Sequence, residues 1–212
     1  MVVFLQSWGC GAAYVTRNVR ALNHGEVVMM RAIFAAMMMN ALFASGAVQA
    51  DQTDKRLMPL FDQLRITTEP VALARVERRI WTIWSASGRE DVDQVLLRGA
   101  QAMAAGDFPA AIEQFDRVIK MAPTFAEGWN KRATAYYLAD RFDESVRDIQ
   151  QTLSLEPRHF GALSGMGLIF LERGDLSGAL MAFEQVLRVH PNSRNARHRV
   201  RELRARLGRG AA

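Results

Sequence analysis

Two stretches decide the fold when laid one over the other: 126–159, AEGWNKRATAYYLADRFDESVRDIQQTLSLEPRH, and 160–193, FGALSGMGLIFLERGDLSGALMAFEQVLRVHPNS. Pro157 and Pro191 fall in one column. Pro123 takes the same place in 92–125, VDQVLLRGAQAMAAGDFPAAIEQFDRVIKMAPTF, so the three prolines are spaced by 34 residues without an insertion. A fixed period of this length marks a repeat architecture, and it governs how every shorter pattern is read.

In this frame the repeats start at Val92, Ala126 and Phe160. The first half of each carries Val95, Arg98, Gly99 and Ala102, then Trp129, Arg132, Ala133 and Tyr136, then Leu163, Met166, Gly167 and Phe170. The second half pairs a small residue with a large one four positions on: Ala111/Phe115, Ser145/Ile149 and Ala179/Phe183. That spacing puts both on one helical face, where the small residue admits a neighbouring helix and the large one fills the space beyond it. Gly106-Asp107, Asp140-Arg141 and Gly174-Asp175 separate the halves as turns. Asp107 and Asp175 are N-cap candidates, since a carboxylate there accepts the free first-turn amides. Pro109 follows at a first-turn position that tolerates its missing N–H, and the repeat prolines end the second helices.

These positions resemble the tetratricopeptide-repeat (TPR) family over about 100 residues. The resemblance implies an all-α fold, a right-handed superhelix of stacked helix-turn-helix hairpins, with three repeats at 92–125, 126–159 and 160–193 inside a region 89–192. Arg98 and Arg132 depart from the usual Leu, which points to looser packing in the first two repeats.

An array of stacked hairpins needs capped ends. Leu57, Leu60, Phe61 and Leu64 mark a short helix, broken at Thr68-Glu69-Pro70. Val71, Ala74, Ile80, Trp81 and Trp84 mark a second, ending near Ser87-Gly88. This pair, in 51–88, is expected to stack beneath the first repeat. At the other end Ala196, Val200, Leu203 and Leu207 recur at helical spacing in an Arg-rich capping helix and tail, 193–212.

Charge is unevenly spread. The chain carries +5 formally, but residues 193–212 hold seven Arg and one Glu, while 51–192 are mildly acidic. Ahead of residue 51, Met30-Arg31, the apolar run Ala32 to Ala44 and the small residues up to Ala50 read as a secretory signal at about 30–50 within a leading segment 1–50. Translation from Met29 or Met30 would place that signal at the start. The run is short for a membrane span, which needs roughly 20 residues, an uncleaved anchor being the alternative. Cys10 is the sole cysteine, so no disulfide framework is available. The expected product is exported, periplasmic if the host is a Gram-negative bacterium.

Catalytic patterns are missing. His159, His190 and His198 show no metal-ligand spacing, Ser164 and Ser177 have no nucleophile-elbow context, and no Gly-rich phosphate loop occurs. No enzyme activity, cofactor or metal is expected. The TPR resemblance instead implies a concave groove lined by the first helix of each repeat, presenting Leu96, Ala100, Met103, Asn130, Thr134, Tyr137, Ser164, Leu168 and Leu171 to a peptide or helix of a partner protein. Family members that hold a C-terminal carboxylate use Lys, Arg and Asn at positions matched here by Leu96, Ala100, Lys131, Gly161 and Gly165, so that clamp is lacking apart from one Lys. The alternative is a polyanion or anionic membrane surface met by Arg197, Arg201 and Arg204. Nucleic acid is disfavoured by export and by the lack of aromatics among the arginines. Self-association by stacking of end repeats is a further reading.

The signal reading makes a direct prediction. Mass spectrometry of the exported protein should find Asp51 as its first residue; a product that keeps residues 30–50 contradicts cleavage.

Overall fold

Three helical hairpins follow one another through the centre of the chain, and their helices keep the period of the prolines. The structure, a computed structural model, describes residues 54–209. The signal region lies outside the described residues. Within them run nine helices: α1 (Leu57–Ile66), α2 (Pro70–Trp84), α3 (Glu90–Ala104), α4 (Phe108–Met121), α5 (Ala126–Leu138), α6 (Phe142–Leu155), α7 (Phe160–Glu172), α8 (Leu176–Val189) and α9 (Arg194–Arg209). The second helices of the hairpins start at Phe108, Phe142 and Leu176, 34 residues apart. Helices α5, α7 and α9 start at Ala126, Phe160 and Arg194 with the same spacing, so α9 takes the place of the first helix of a further hairpin.

The expected caps form. Asp107 accepts from the Ala110 amide and Asp175 from the Gly178 amide. Gly106 and Gly174 turn the chain at positive φ, and Asp140 takes the same left-handed conformation in the second hairpin. Packing within a hairpin depends on the small–large match. A Cβ on Gly99 would stand 2.5 Å from the Phe115 ring, and one on Gly167 2.8 Å from Phe183. The second hairpin, with Ala133, has the smaller Ile149 on its second helix.

The two arginines at the Leu column behave differently. Arg98 is exposed. Arg132 is mostly buried and bonds Asp148 through Nε and Nη2, each at 2.7 Å, and Asp116 through Nη1 at 2.5 Å. Its guanidinium also lies 5.0 Å from the Trp129 ring. The expected looseness at this position is replaced by a charged junction tying α4, α5 and α6.

The N-terminal pair does not stack beneath the first hairpin. Its buried residues, Leu57, Leu60, Phe61, Leu64, Leu73, Val76, Ile80 and Trp84, share one core with the second and third hairpins and α9. The core of the first hairpin, built around Val92, Val95, Ala111 and Phe115, includes no residue of α1 or α2. Val71 and Ala74, expected as anchors, are exposed, and Leu73 and Val76 point inward instead. Helix α2 ends at Trp84, before the expected Ser87-Gly88. Glu69 caps it by accepting from the amides of Val71 and Ala72.

The third hairpin carries Met166 and Ala182 where the second has Arg132 and Asp148. Arg132→Ala alone should cost roughly 3 kcal/mol, because it strands the Asp148 charge in the core. Arg132→Met with Asp148→Ala should recover most of that loss. Chemical denaturation checks the cycle, and a double variant no more stable than the single contradicts it.

Candidate partner-binding groove

The expected groove residues, on the first helices α3, α5 and α7, divide into two sets. Leu96 is buried in the first hairpin's core, with Met103 packed against it and Ala100 half-buried. Leu168, Leu171 and Tyr137 are half-buried against the main core. The Tyr137 hydroxyl donates to Glu172 at 3.3 Å; burial and that carboxylate push it above its usual value, which keeps it protonated. The polar set is committed internally. Thr134 and Ser164 donate to the carbonyls of Asn130 and Phe160 on their own helices. Asn130 is 2 % exposed and donates to Glu127 Oε2 at 2.9 Å. Two apolar side chains of the first helices, Leu97 and Leu138, are exposed at 51 % and 41 %. Sequence reading missed both, because exposure on a repeat helix depends on which neighbour covers it.

Helix α2 packs against the turn before α7, the first residues of α7 and the turn before α9. Trp84 stacks on His159, with centroids 4.3 Å apart and planes 13° from parallel. Trp81 meets Phe160 edge-on, and a Cβ on Gly161 would stand 2.6 Å from Trp81 Cη2. Farther along, Glu77 Oε1 lies 2.6 Å from His190 Nε2. Asn192 donates to the carbonyls of Arg65 and Thr67, and the Arg158 guanidinium lies 4.3 Å over the Phe61 ring. Past the end of α2, Arg89 donates to the Met121 carbonyl. The pair thus touches the turns before α7 and α9, while the contact near the turn before α5 comes from Arg89, which caps α3.

Beneath the indoles sits a buried polar chain. His159, with no exposed surface, accepts from the Ala162 amide through Nδ1 and caps α7. Its Nε2 is 3.1 Å from Glu127 Oε2, and Glu127 is itself fully buried. Burial, the largest influence, pushes the Glu127 carboxyl up; the Lys131 ammonium at 3.2 Å and His159 together outweigh it and hold the group below its usual value. His159 and His190 belong to structural networks, and His159 also caps α7. Among the described residues, no group of His, Cys, Asp and Glu is placed to hold a metal ion. Lys131, the single residue that matches the carboxylate clamp, is committed to Glu127.

The basic residues of α9 are partly used. Arg197 donates to the Pro191 carbonyl and to Asn192 Oδ1, each at 2.7 Å, and Arg204 to Glu184 at 2.8 Å. Arg201 stands at the repeat position of Gly99, Ala133 and Gly167 and is exposed, since no described helix packs on that side.

The tetratricopeptide-repeat profile matches residues 96–153 and 130–196. A TPR repeat-containing protein of Rhizobium etli is 34 % identical over 153 residues, covering 72 % of this chain and 75 % of its own length. The chain belongs to the tetratricopeptide-repeat family. The Sgt2 TPR domain from Aspergillus fumigatus superposes with a TM-score of 0.54 at 21 % identity, over 58 % of this chain and 83 % of that domain. The first TPR of Spaghetti (RPAP3), bound to the HSP90 peptide SRMEEVD, superposes with a TM-score of 0.52 at 21 % identity, over 55 % of this chain and 95 % of that one. The TPR array is a non-catalytic module, and among the described residues no helix is long and apolar enough to cross a membrane.

Ionised Glu127 supplies stability that is complete above its unfolded value of about 4.5 and is lost as the pH falls through its lower folded value. Denaturation curves of this TPR protein should therefore weaken on acidification below that point. Glu127→Gln should be less stable at neutral pH and show a flatter acid limb. An unchanged limb contradicts the assignment.

Proposed function

We propose that the protein is an interaction scaffold of the cell envelope, holding a segment of a partner protein against the concave face of its TPR array. One observation carries the reading: that face offers a run of apolar groups, from Met103 through Tyr137 to Leu168 and Leu171, with Leu97 and Leu138 exposed on the same first helices. Apolar side chains at repeat spacing suit an amphipathic helix or an extended segment with apolar anchors. The HSP90 peptide on the Spaghetti domain supports peptide binding as a use of this fold. A ligand read through its C-terminal carboxylate fits poorly here. The clamp-matching positions are Leu96, Ala100, Lys131, Gly161 and Gly165; Lys131 pairs with Glu127 and Gly161 lies under Trp81. The envelope location rests on the 30–50 signal reading.

Leu97→Glu with Leu138→Glu changes side chains that already face solvent, so stability should hold within about 0.5 kcal/mol. Affinity capture from the native host, run with the wild type and this variant, tests the groove. The reading expects a partner whose affinity falls by roughly tenfold or more when two apolar contacts become charged. A partner retained equally by both overturns it.

A further inference from the structure

The large apolar side chains most exposed among the described residues all belong to the N-terminal pair: Ile66 at 79 %, Val71 at 65 % and Met58 at 63 %. Ile66 ends α1, and Val71 follows the Pro70 that opens α2, so these two flank one turn. A single exposed aliphatic group is ordinary on a protein surface, but several together mark a contact.

The same turn is tied to the basic end of α9. Asn192, just ahead of that helix, donates to the carbonyls of Arg65 and Thr67 at 3.2 and 2.8 Å, and its Oδ1 accepts from Arg197 at 2.7 Å. Arg197 also donates to the Pro191 carbonyl. Both acceptors are neutral, so the guanidinium is fixed in place with its charge uncompensated. Arg65, Arg194 and Arg201 are exposed and pair with no carboxylate among the described residues, whereas Arg199 and Arg204 pair with Glu202 and Glu184. The first turn of α9 holds no acidic residue. Arg194, Arg197 and Arg201 line, with Asn195 and His198, an open depression of about 590 Å³ that has no carboxylate in its wall. Two acids stand on the pair nearby: Glu69, which caps α2, and Asp62, one turn ahead of Ile66. Against Arg65, Arg194, Arg197 and Arg201 they leave the region positive.

Cations around a depression, with bare aliphatic groups beside them, are the complement of an amphiphile. Guanidinium groups bind phosphate oxygens in pairs, and protruding aliphatic side chains enter the acyl boundary next to the headgroups. We propose that this surface docks the protein on a bilayer rich in anionic phospholipid, with Ile66 and Val71 entering the interface and Arg194, Arg197 and Arg201 holding headgroup phosphates. The attachment is peripheral, since no described helix is long and apolar enough to cross. A second copy meeting this face across a two-fold axis would set arginine against arginine. An acidic protein segment would satisfy the arginines and leave the aliphatic pair in water. The surface shares no residue with the proposed groove, and neither reading depends on the other.

Sedimentation tests it, using the exported protein as purified from its host. One set of vesicles holds phosphatidylglycerol and phosphatidylcholine in equal parts, the other phosphatidylcholine alone. Binding to the first should be tighter by roughly tenfold or more. Arg194→Gln with Arg201→Gln should weaken it by roughly tenfold or more. Ile66→Gln with Val71→Gln should do the same with the charge unchanged, again by roughly tenfold. Arg98→Gln with Arg117→Gln removes two charges from exposed positions of the first hairpin and should change binding by less than about twofold. Equal binding to both vesicles, as an uncleaved apolar run would give, overturns the proposal. So does an equal loss in the Arg98 and Arg117 variant, which reduces the effect to net charge. Binding indifferent to the aliphatic substitutions overturns it in favour of a purely acidic ligand, and displacement by inorganic phosphate at constant ionic strength overturns it in favour of the free anion. The two patch variants are independent, so whichever melts cooperatively carries the test.

Discussion

Two helices can pack backbone against backbone only where a side chain gets out of the way. In this chain that happens at Gly99, Ala133 and Gly167, each facing a large residue on the second helix of its own hairpin. Gly99 and Gly167 each leave room for a phenylalanine ring within 3 Å of where a Cβ would be. From this close approach follow the hairpin, its fixed length and the stacking of one hairpin on the next, since a hairpin alone cannot bury both its faces. Even the end of the array obeys the constraint. Where α9 begins a further hairpin, Arg201 fills the small-residue position and faces solvent.

The N-terminal pair adds a different kind of packing. It covers the turn before α7 with two indoles and a phenyl ring, and it binds the array through loops far away in sequence. Aromatic burial of this kind stabilises strongly, about 3–5 kcal/mol per fully buried large ring when compared with alanine. Against it stands the buried Glu127, His159 and Asn130 chain, whose polar atoms are only partly satisfied. A core residue set chosen for stability alone would be apolar here. The first hairpin, by contrast, is free of the pair and keeps its own small core.

Much of this was legible in the sequence and some was not, for reasons that individual residues make plain. Pro123, Pro157 and Pro191 set the period, and the helix starts keep it. Asp107 and Asp175 were readable as caps because a cap is a local event, three residues long. Arg132 was read as a loose spot because its partners, Asp116 and Asp148, are each 16 residues away and carry no local signature. The pattern of α2 shows apolar residues on two sides, since Val71 and Leu73, two positions apart, do not share a face, and periodicity does not say which side a neighbour covers. Placement over the third hairpin depends on pairs such as Glu77 with His190, which no periodicity reveals. The groove list had the same weakness: Asn130 and Tyr137 occupy equivalent-looking positions on α5, yet one is buried in a network and the other stays half-exposed.

The central claim is that α2 lies across the second and third hairpins with Trp84 stacked on His159. Proton NMR of the His159 ring tests it most directly. A ring 4.3 Å from an indole and nearly parallel to it sits in the shielding cone, so its Cε1 proton should resonate well upfield of an ordinary histidine and return to the normal position in Trp84→Leu. A His159 proton at the ordinary shift in the folded wild type, or one indifferent to Trp84, would contradict the placement of the N-terminal pair.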